Sequence, residues 1–575
     1  MAVRELTIEP ITRIEGHLGA HVKIDTDARK ITDAYVYSPM FRGFEIILVG
    51  REPAEAIMIT QRSCGVCPVP HAYSSAMAVD QTYKVSPPPM AVALRVLVHG
   101  AEQLYDAEVG VVNLEGCDYS ETLVKKFNPD WWEEAEKANA ERVDIHGYEK
   151  ISDIMRALNP FTGELYVQSL LIQKAGHNMA AIFGAKHPHV HSFVPGGISK
   201  ANLSPSDFEA YLTLLMRHIA FSKKLVAATD DLLDFVLKQG YEDVGTREAN
   251  LFSVGAYDAP ERYSAEYSDI GKFGKARLVS PGVILNGELV TTDLVEINVG
   301  VREFIGRGWY ENDWEQEFST DPLGNKIERE HPWNKRTKPK PGKYGDWTGA
   351  YSWVTASRWF KGGKSHVVEL GPLARMWVTA KAGLVPESTG NSLRFELPAS
   401  PIPGFFAEKL ELEWKIPEKP NAVERIRARA YYLAYTAYCM LKMVGSALEL
   451  LKAGKTEVWT EYERPKEGMG FGAVEAMRGA CMHWCVMKNG KIHNYQYQAP
   501  STWNLSCRDP EGQPGPVEDA LLQTPVTEAG DVDGWKGIDV VRTVRSFDPC
   551  LGCAVHVHVG NKVVKHKLLP YPSNF

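Results

Sequence analysis

Arg62-Ser63-Cys64-Gly65-Val66-Cys67 and Asp548-Pro549-Cys550-Leu551-Gly552-Cys553 repeat one pattern, a CxxC turn that lets two sulfurs converge on a single cation. His71 stands shortly after the first pair and His556 shortly after the second. Almost the whole chain separates the pairs, so if they share a metal the fold must bring its two ends together. Ligand type leaves a structural zinc site open, because thiolates suit zinc and iron–sulfur centres alike. Position argues the other way, since zinc ribbons and fingers draw their ligands from one short local unit.

The remaining sequence sets the frame for such a site. Its 575 residues are 44% hydrophobic and 24% charged with a net charge of -8, the profile of a globular protein with a large core and no basic excess for nucleic acid. Only nine residues are cysteine, few for this length and odd in number, which argues against a disulfide scaffold and favours thiols kept for metal or redox chemistry. Met1 to Pro10 lacks the basic start and apolar run of a secretory signal, so no export address is expected in this chain. Ala430 to Leu451 is the most apolar long stretch, but Lys442 and Glu449 make it a buried amphipathic helix rather than a membrane span.

Short alternating runs at Ala20–Ile24 and Ala34–Tyr37, with the turn formers Asp25-Thr26-Asp27 between them, predict a small N-terminal sheet within residues 1–60. Ser204-Pro205 starts a helix that keeps one face apolar until Gly240, and Asn421 with Glu424 makes a capping box for a second that runs to Gly454. Residues 61–556 are therefore read as one long helical body. Within it, residues 310–362, rich in Trp, Tyr, Pro, Gly and charge, read as a loop-rich surface insertion rather than core. The expected class is α+β, mainly α, with a long central helix bundle and a small N-terminal sheet.

Several short motifs lie in order along the chain: Arg13-Ile14-Glu15-Gly16-His17, Arg42-Gly43-Phe44-Glu45, the two cysteine pairs, Gly184-Ala185-Lys186-His187-Pro188-His189, Gly371-Pro372-Leu373-Ala374-Arg375, Glu475-Ala476-Met477-Arg478-Gly479 and Pro500-Ser501-Thr502-Trp503-Asn504. Each is weak alone; together, from Arg13 to His556, they resemble the large subunit of nickel-iron hydrogenases. The resemblance implies the fold of that subunit and reversible heterolytic cleavage of H2, most naturally in the uptake direction. Cys64 and Cys550 would be terminal nickel ligands, and Cys67 and Cys553 would bridge nickel to an iron carrying carbon monoxide and cyanide. Cys550 would accept the proton and Glu15 relay it. Arg478 would stand over the open site, held by Asp106 and Asp548, with Ser501 beside a cyanide. Glu45, the carbonyl of Tyr497 and His556 would hold magnesium.

Read without that resemblance, Asp106 is a solvated helix charge, Asp548 a turn former before Pro549, and Glu15 an ion-pair partner of Arg13 or His17. His71 and His483 read equally as orienting groups or as satisfied core histidines. The resemblance further implies an iron–sulfur small subunit as electron acceptor, since no other cysteine set here resembles a cluster motif. Trp347, Trp353 and Trp359 would belong to that interface or simply cover the core. The location implied is membrane association through partners on the outer or periplasmic face, with a cytoplasmic location as the alternative. Residues 557–575 would be trimmed on maturation unless this member keeps its tail.

The sequence also departs from the pattern. Met477 replaces a usual proline, Ala480-Cys481-Met482 replaces Ala-Leu-Gly, and Gly110–Gly116 lacks the aromatic and histidine character common near Asp106. For Cys481 and Cys485, on a helix face or in a strand, core packing is the plainer reading and a second metal the alternative. Val66 and Leu114 stand where hydrogen sensors carry bulkier residues, which favours an enzyme over a regulatory sensor. A zinc-stapled non-catalytic subunit, related in fold to the quinone-site subunit of respiratory complex I, is the other alternative; that relative lacks the cysteine pairs.

Overall fold

Ser204 and Asn421 open the two longest helices. The computed structural model describes residues 3–200, 202–312, 314–343, 345–531 and 534–551; Cys553, His556 and the tail 557–575 lie outside the described residues. Six elements suffice to begin: strands β1 (Val3–Ile8), β2 (Gly19–Asp25) and β3 (Lys30–Tyr37), and helices α1 (Pro68–Tyr83), α2 (Pro89–Glu108) and α3 (Glu164–Gly184). Helices α4 (Pro205–Lys238) and α5 (Ala422–Lys452) follow, then strands β4 (Gly468–Ala476), β5 (Gly479–Lys488) and β6 (Lys491–Gln498). Ser204 and Asp207 bond reciprocally at the start of α4 with Pro205 in its first turn, and the Asn421 side chain accepts from Glu424 N at 2.8 Å at the start of α5.

Helices α2, α3, α4 and α5 pack as the central bundle, with α2 buried along nearly its whole length. Gly100 leaves room for Met440 of α5, since a Cβ there would fall 1.9 Å from Met440 Sδ. About 42% of the molecule is helical and 20% strand, so helix predominates as the sequence suggests. The strand content is nevertheless not confined to the N-terminus. Strands β4, β5 and β6 form an antiparallel sheet inside the protein, in register from Gly468↔Met487 to Ala476↔Gly479 and from Met482↔Gln498 to Lys488↔Lys491.

That inner sheet lies directly on α1. A Cβ on Gly468, Gly470 or Gly472 would stand 2.2, 2.0 and 2.0 Å from the backbone oxygens of Thr82, Ala78 and Ser74. Every second residue of the strand thus meets every fourth residue of the helix, backbone to backbone.

The N-terminal sheet β1–β2–β3 closes the two chain ends together. Ile11, Val22, Ile24 and Val36 pack with Val540, Val544, Phe547 and Leu551 in one buried cluster. Glu15 and Cys550 then pair as a parallel bridge: Glu15 N donates to Pro549 O (3.1 Å) and Leu551 N to Glu15 O (2.7 Å).

Residues 310–362 are loop-rich, and much of 311–349 is exposed, but the tryptophans are turned inward. Trp333 and Trp359 are fully buried, Trp314 and Trp353 nearly so, and Ala356–Lys361 pairs with Val301–Phe304. Trp347 stacks on His21 at 4.7 Å, over β2. The tryptophans cover the core; the polar residues between them, which suggested exposure, line the turns.

Candidate metal centre

Each cysteine is delivered by a defined local structure. Cys64 follows a single turn of 3-10 helix, and Cys67 precedes α1, whose first residue is Pro68, where no N–H is needed. The backbone N–H groups of Val66 and Cys67 both donate to Cys64 Sγ, at 3.3 and 3.2 Å, which supports negative charge on sulfur. Cys550 arrives on the bridge to Glu15.

The sulfurs lie 3.0 Å (Cys64–Cys67), 3.4 Å (Cys64–Cys550) and 3.6 Å (Cys67–Cys550) apart, and all three residues are at most 2% exposed. A disulfide would need about 2.05 Å, whereas thiolates about 2.3 Å from one ion stand roughly 3.8 Å apart. Three convergent, buried sulfurs near that spacing fit metal ligation. Cys553, the expected fourth, lies outside the described residues.

Arg478 stands in the turn between β4 and β5 and is fully buried among acids. It donates to Asp106 Oδ2 (2.6 Å), Asp548 Oδ1 (3.1 Å) and the Asp548 carbonyl (3.1 Å). Asp106 is therefore no solvated charge: it is 0% exposed. Burial raises its carboxyl to about 7 despite the pull of Arg478, with Asp548 adding to the rise. The same acids, with Cys550 and Cys67, hold the Arg478 guanidinium protonated.

Asp548 is a turn residue as well, with a left-handed backbone (φ 50°) before Pro549, a conformation that costs about 1–2 kcal/mol. Its N–H to Arg545 O (2.7 Å) and its carbonyl to Arg478 fix that turn. Arg429 lies 3.8 Å from the other Asp548 oxygen and pairs with Glu115, in the π-helical turn after α2. Sequence reasoning missed Glu115 and Arg429; only their burial, which no local pattern announces, marks them.

Ser501 Oγ accepts from Cys550 N at 2.9 Å, so its own proton is available for another acceptor. Glu15 is half-buried beside Cys550, and burial followed by the charge of Cys64 raises its carboxyl, against Arg478 and Arg42. Arg13 pairs with Asp118 instead of Glu15. Glu45 sits in the short helix Phe44–Leu48, which packs on β6 near Tyr497, and burial raises its carboxyl too. His556, their expected companion, lies outside the described residues. His71 and His483 face each other at 3.1 Å in the core.

Comparison with known proteins agrees with this geometry. A family model described as nickel-dependent hydrogenase matches residues 42–159 and 145–556, and a HoxL-like model matches residues 5–37. The periplasmic [NiFeSe] hydrogenase large subunit of Desulfomicrobium baculatum is 31% identical over 96% of this chain and 95% of its own. The uptake hydrogenase large subunit of Afipia carboxidovorans is 29% identical with the same coverage. A solved actinobacterial-type NiFe-hydrogenase from Ralstonia eutropha H16 is 41% identical, covers 96% of this chain and 100% of its own, and superposes with a TM-score of 0.93. The chain belongs to the nickel-dependent hydrogenase family, as a nickel-iron hydrogenase large subunit.

Proposed function

We propose that this subunit works in H2 uptake, with Cys64, Cys67, Cys550 and Cys553 holding nickel and iron and with the protein's own groups moving the proton. The enzyme class, an oxidoreductase acting on hydrogen, follows from family membership. The observation that carries the residue assignment is the convergence of three buried sulfurs beside a buried, doubly paired guanidinium. When bound, the metals polarise H2 and take up its electrons.

Cys550 Sγ is the first proton acceptor, and the Glu15 carboxyl, on the paired strand, receives the proton next. Its raised affinity suits a group that must hold and then release a proton. Arg478 stays charged and serves as a fixed positive donor over the site. Ser501, its oxygen engaged by Cys550 N, would donate outward to a cyanide on iron. Glu45, Tyr497 O and His556 would hold magnesium, a hard ion suited to carboxylate and carbonyl oxygens.

Two electrons leave per H2, and the sequence offers no further cluster motif, so an iron–sulfur small subunit takes them. Among the described residues no helix is long and apolar enough to cross a membrane. Attachment through partners, on the periplasmic face, is the location we infer, by analogy with the relative named periplasmic. Elemental analysis joined to infrared spectroscopy tests the assignment. Nickel and iron with bands of bound carbon monoxide and cyanide are expected; zinc alone at the cysteines would overturn it.

A further inference from the structure

Away from the cysteine pairs, His71, Cys481 and His483 turn three donor atoms toward one point in the core. His71 is in the first turns of α1; Cys481 and His483 stand two apart on β5, so both side chains leave the same face of the strand, toward the helix. Ser74 Oγ donates to the Cys481 carbonyl at 2.8 Å and fastens strand to helix at this level. His71 Nδ1 is 3.1 Å from His483 Nε2, and Cys481 Sγ is 3.5 Å from each nitrogen. All three residues are at most 1% exposed.

The distances match a known kind of polyhedron. Zinc binds imidazole nitrogen at about 2.0–2.1 Å and thiolate sulfur at about 2.3 Å, so a tetrahedral ion sets N···N edges of about 3.4 Å and N···S edges of about 3.6 Å. The observed triangle lies within about 0.3 Å of those edges.

Proton accounting points the same way. Tyr495 OH donates to Ser75 Oγ (2.8 Å), so its oxygen accepts from His483 Nδ1 (2.7 Å), and His483 Nε2 is left as a bare lone pair. Three contacts then share at most two hydrogens, one on His71 Nδ1 and one on Cys481. An oxygen acceptor on the far nitrogen of a histidine, a place the Tyr495 hydroxyl takes here, is the usual support behind a metal ligand. Burial keeps both imidazoles neutral, which is the ligating form.

From this geometry we propose that His71 Nδ1, Cys481 Sγ and His483 Nε2 bind one zinc ion, with the fourth position left to a non-protein donor such as water. The site shares no ligand with the cysteine pairs or with the Glu45 site and differs from both in donor type. Its ligand set is borderline in softness, as zinc prefers. Binding displaces the Cys481 proton to solvent and leaves a thiolate, and His71 stays neutral by carrying its single proton on Nε2, which frees the Nδ1 lone pair for the ion.

The proposal does not rest on the nickel-iron assignment, and the test separates them. Purified holoenzyme is analysed for zinc, nickel and iron and examined by X-ray absorption at the zinc edge, as wild type, Cys481→Ser and Cys481→Leu. One zinc per chain with two nitrogens and one sulfur is expected in the wild type, and its loss, with nickel retained, in both variants. Nickel-replete wild-type holoenzyme without zinc would overturn the proposal, as would zinc with sulfur ligands only or zinc retained in either variant. If the variants do not fold, the wild-type stoichiometry and ligand shell decide alone.

Discussion

Replacing Arg478 with lysine keeps the charge and removes the geometry. The guanidinium makes three hydrogen bonds, to Asp106 Oδ2, Asp548 Oδ1 and the Asp548 carbonyl, all inside the protein. An ammonium reaching from the same backbone position can satisfy one carboxylate well. The variant therefore forfeits one bond to a charged partner, about 1.5–3 kcal/mol, and one to a carbonyl, about 1 kcal/mol. A loss of about 2.5–4 kcal/mol in the placement of a fixed donor corresponds to roughly 10²–10³ in turnover. The assay is H2 oxidation per nickel by purified Arg478→Lys holoenzyme, with nickel and iron measured on the same sample. A slow enzyme with full metal content is expected. Wild-type turnover would refute the role of the fork, and loss of the metals would show that Arg478 supports the structure rather than the reaction.

Three other perturbations probe separate parts of the molecule. Glu15→Gln should suppress turnover while leaving the metals in place; metal loss in that variant would make Glu15 structural. Glu518, fully buried and accepting from Val36 N and Tyr351 OH, is raised to about 7 by burial, so the folded protein holds its proton more tightly than the unfolded chain. The stability this brings is complete below about pH 4.5 and fades as pH rises through about 7, a swing of about 3 kcal/mol. Glu518→Gln should flatten the decline in melting temperature between pH 5 and 8, and an unchanged slope would contradict the linkage. Gly472→Ala puts a Cβ 2.0 Å from Ser74 O and 2.7 Å from Ala78 N, both backbone atoms, so recovery of soluble holoprotein should collapse; a wild-type yield would refute the close approach.

Features written in local chemistry were legible in the sequence. The CxxC pairs announce themselves by spacing, and α4 and α5 by Ser204-Pro205 and Asn421 ahead of one-sided apolar repeats. What depends on distant partners was not. Asp106 reads like any helix carboxylate until Arg478, 372 residues on, is seen to bond it. Strands β4 and β5 are buried on both faces, so they show no alternation to mark them as strands. Their glycines, read locally, suggest loop rather than contact with a helix. For the tryptophans of 310–362 the sequence left an interface or a cover for the core open, because polar neighbours in sequence do not show which neighbours a ring has in space.

The glycine stripe of β4 has a mechanical consequence. Cys67 stands at one end of α1, and β4 runs straight into the turn that carries Arg478. Over Gly468, Gly470 and Gly472 the strand sets no side chain of its own against the helix backbone, so this stretch has little to re-rotamerise and resists sliding. Sulfur and guanidinium ride on one stiff plank. Strain arriving from the surface should therefore tilt helix and strand together more readily than it changes the gap between sulfur and guanidinium.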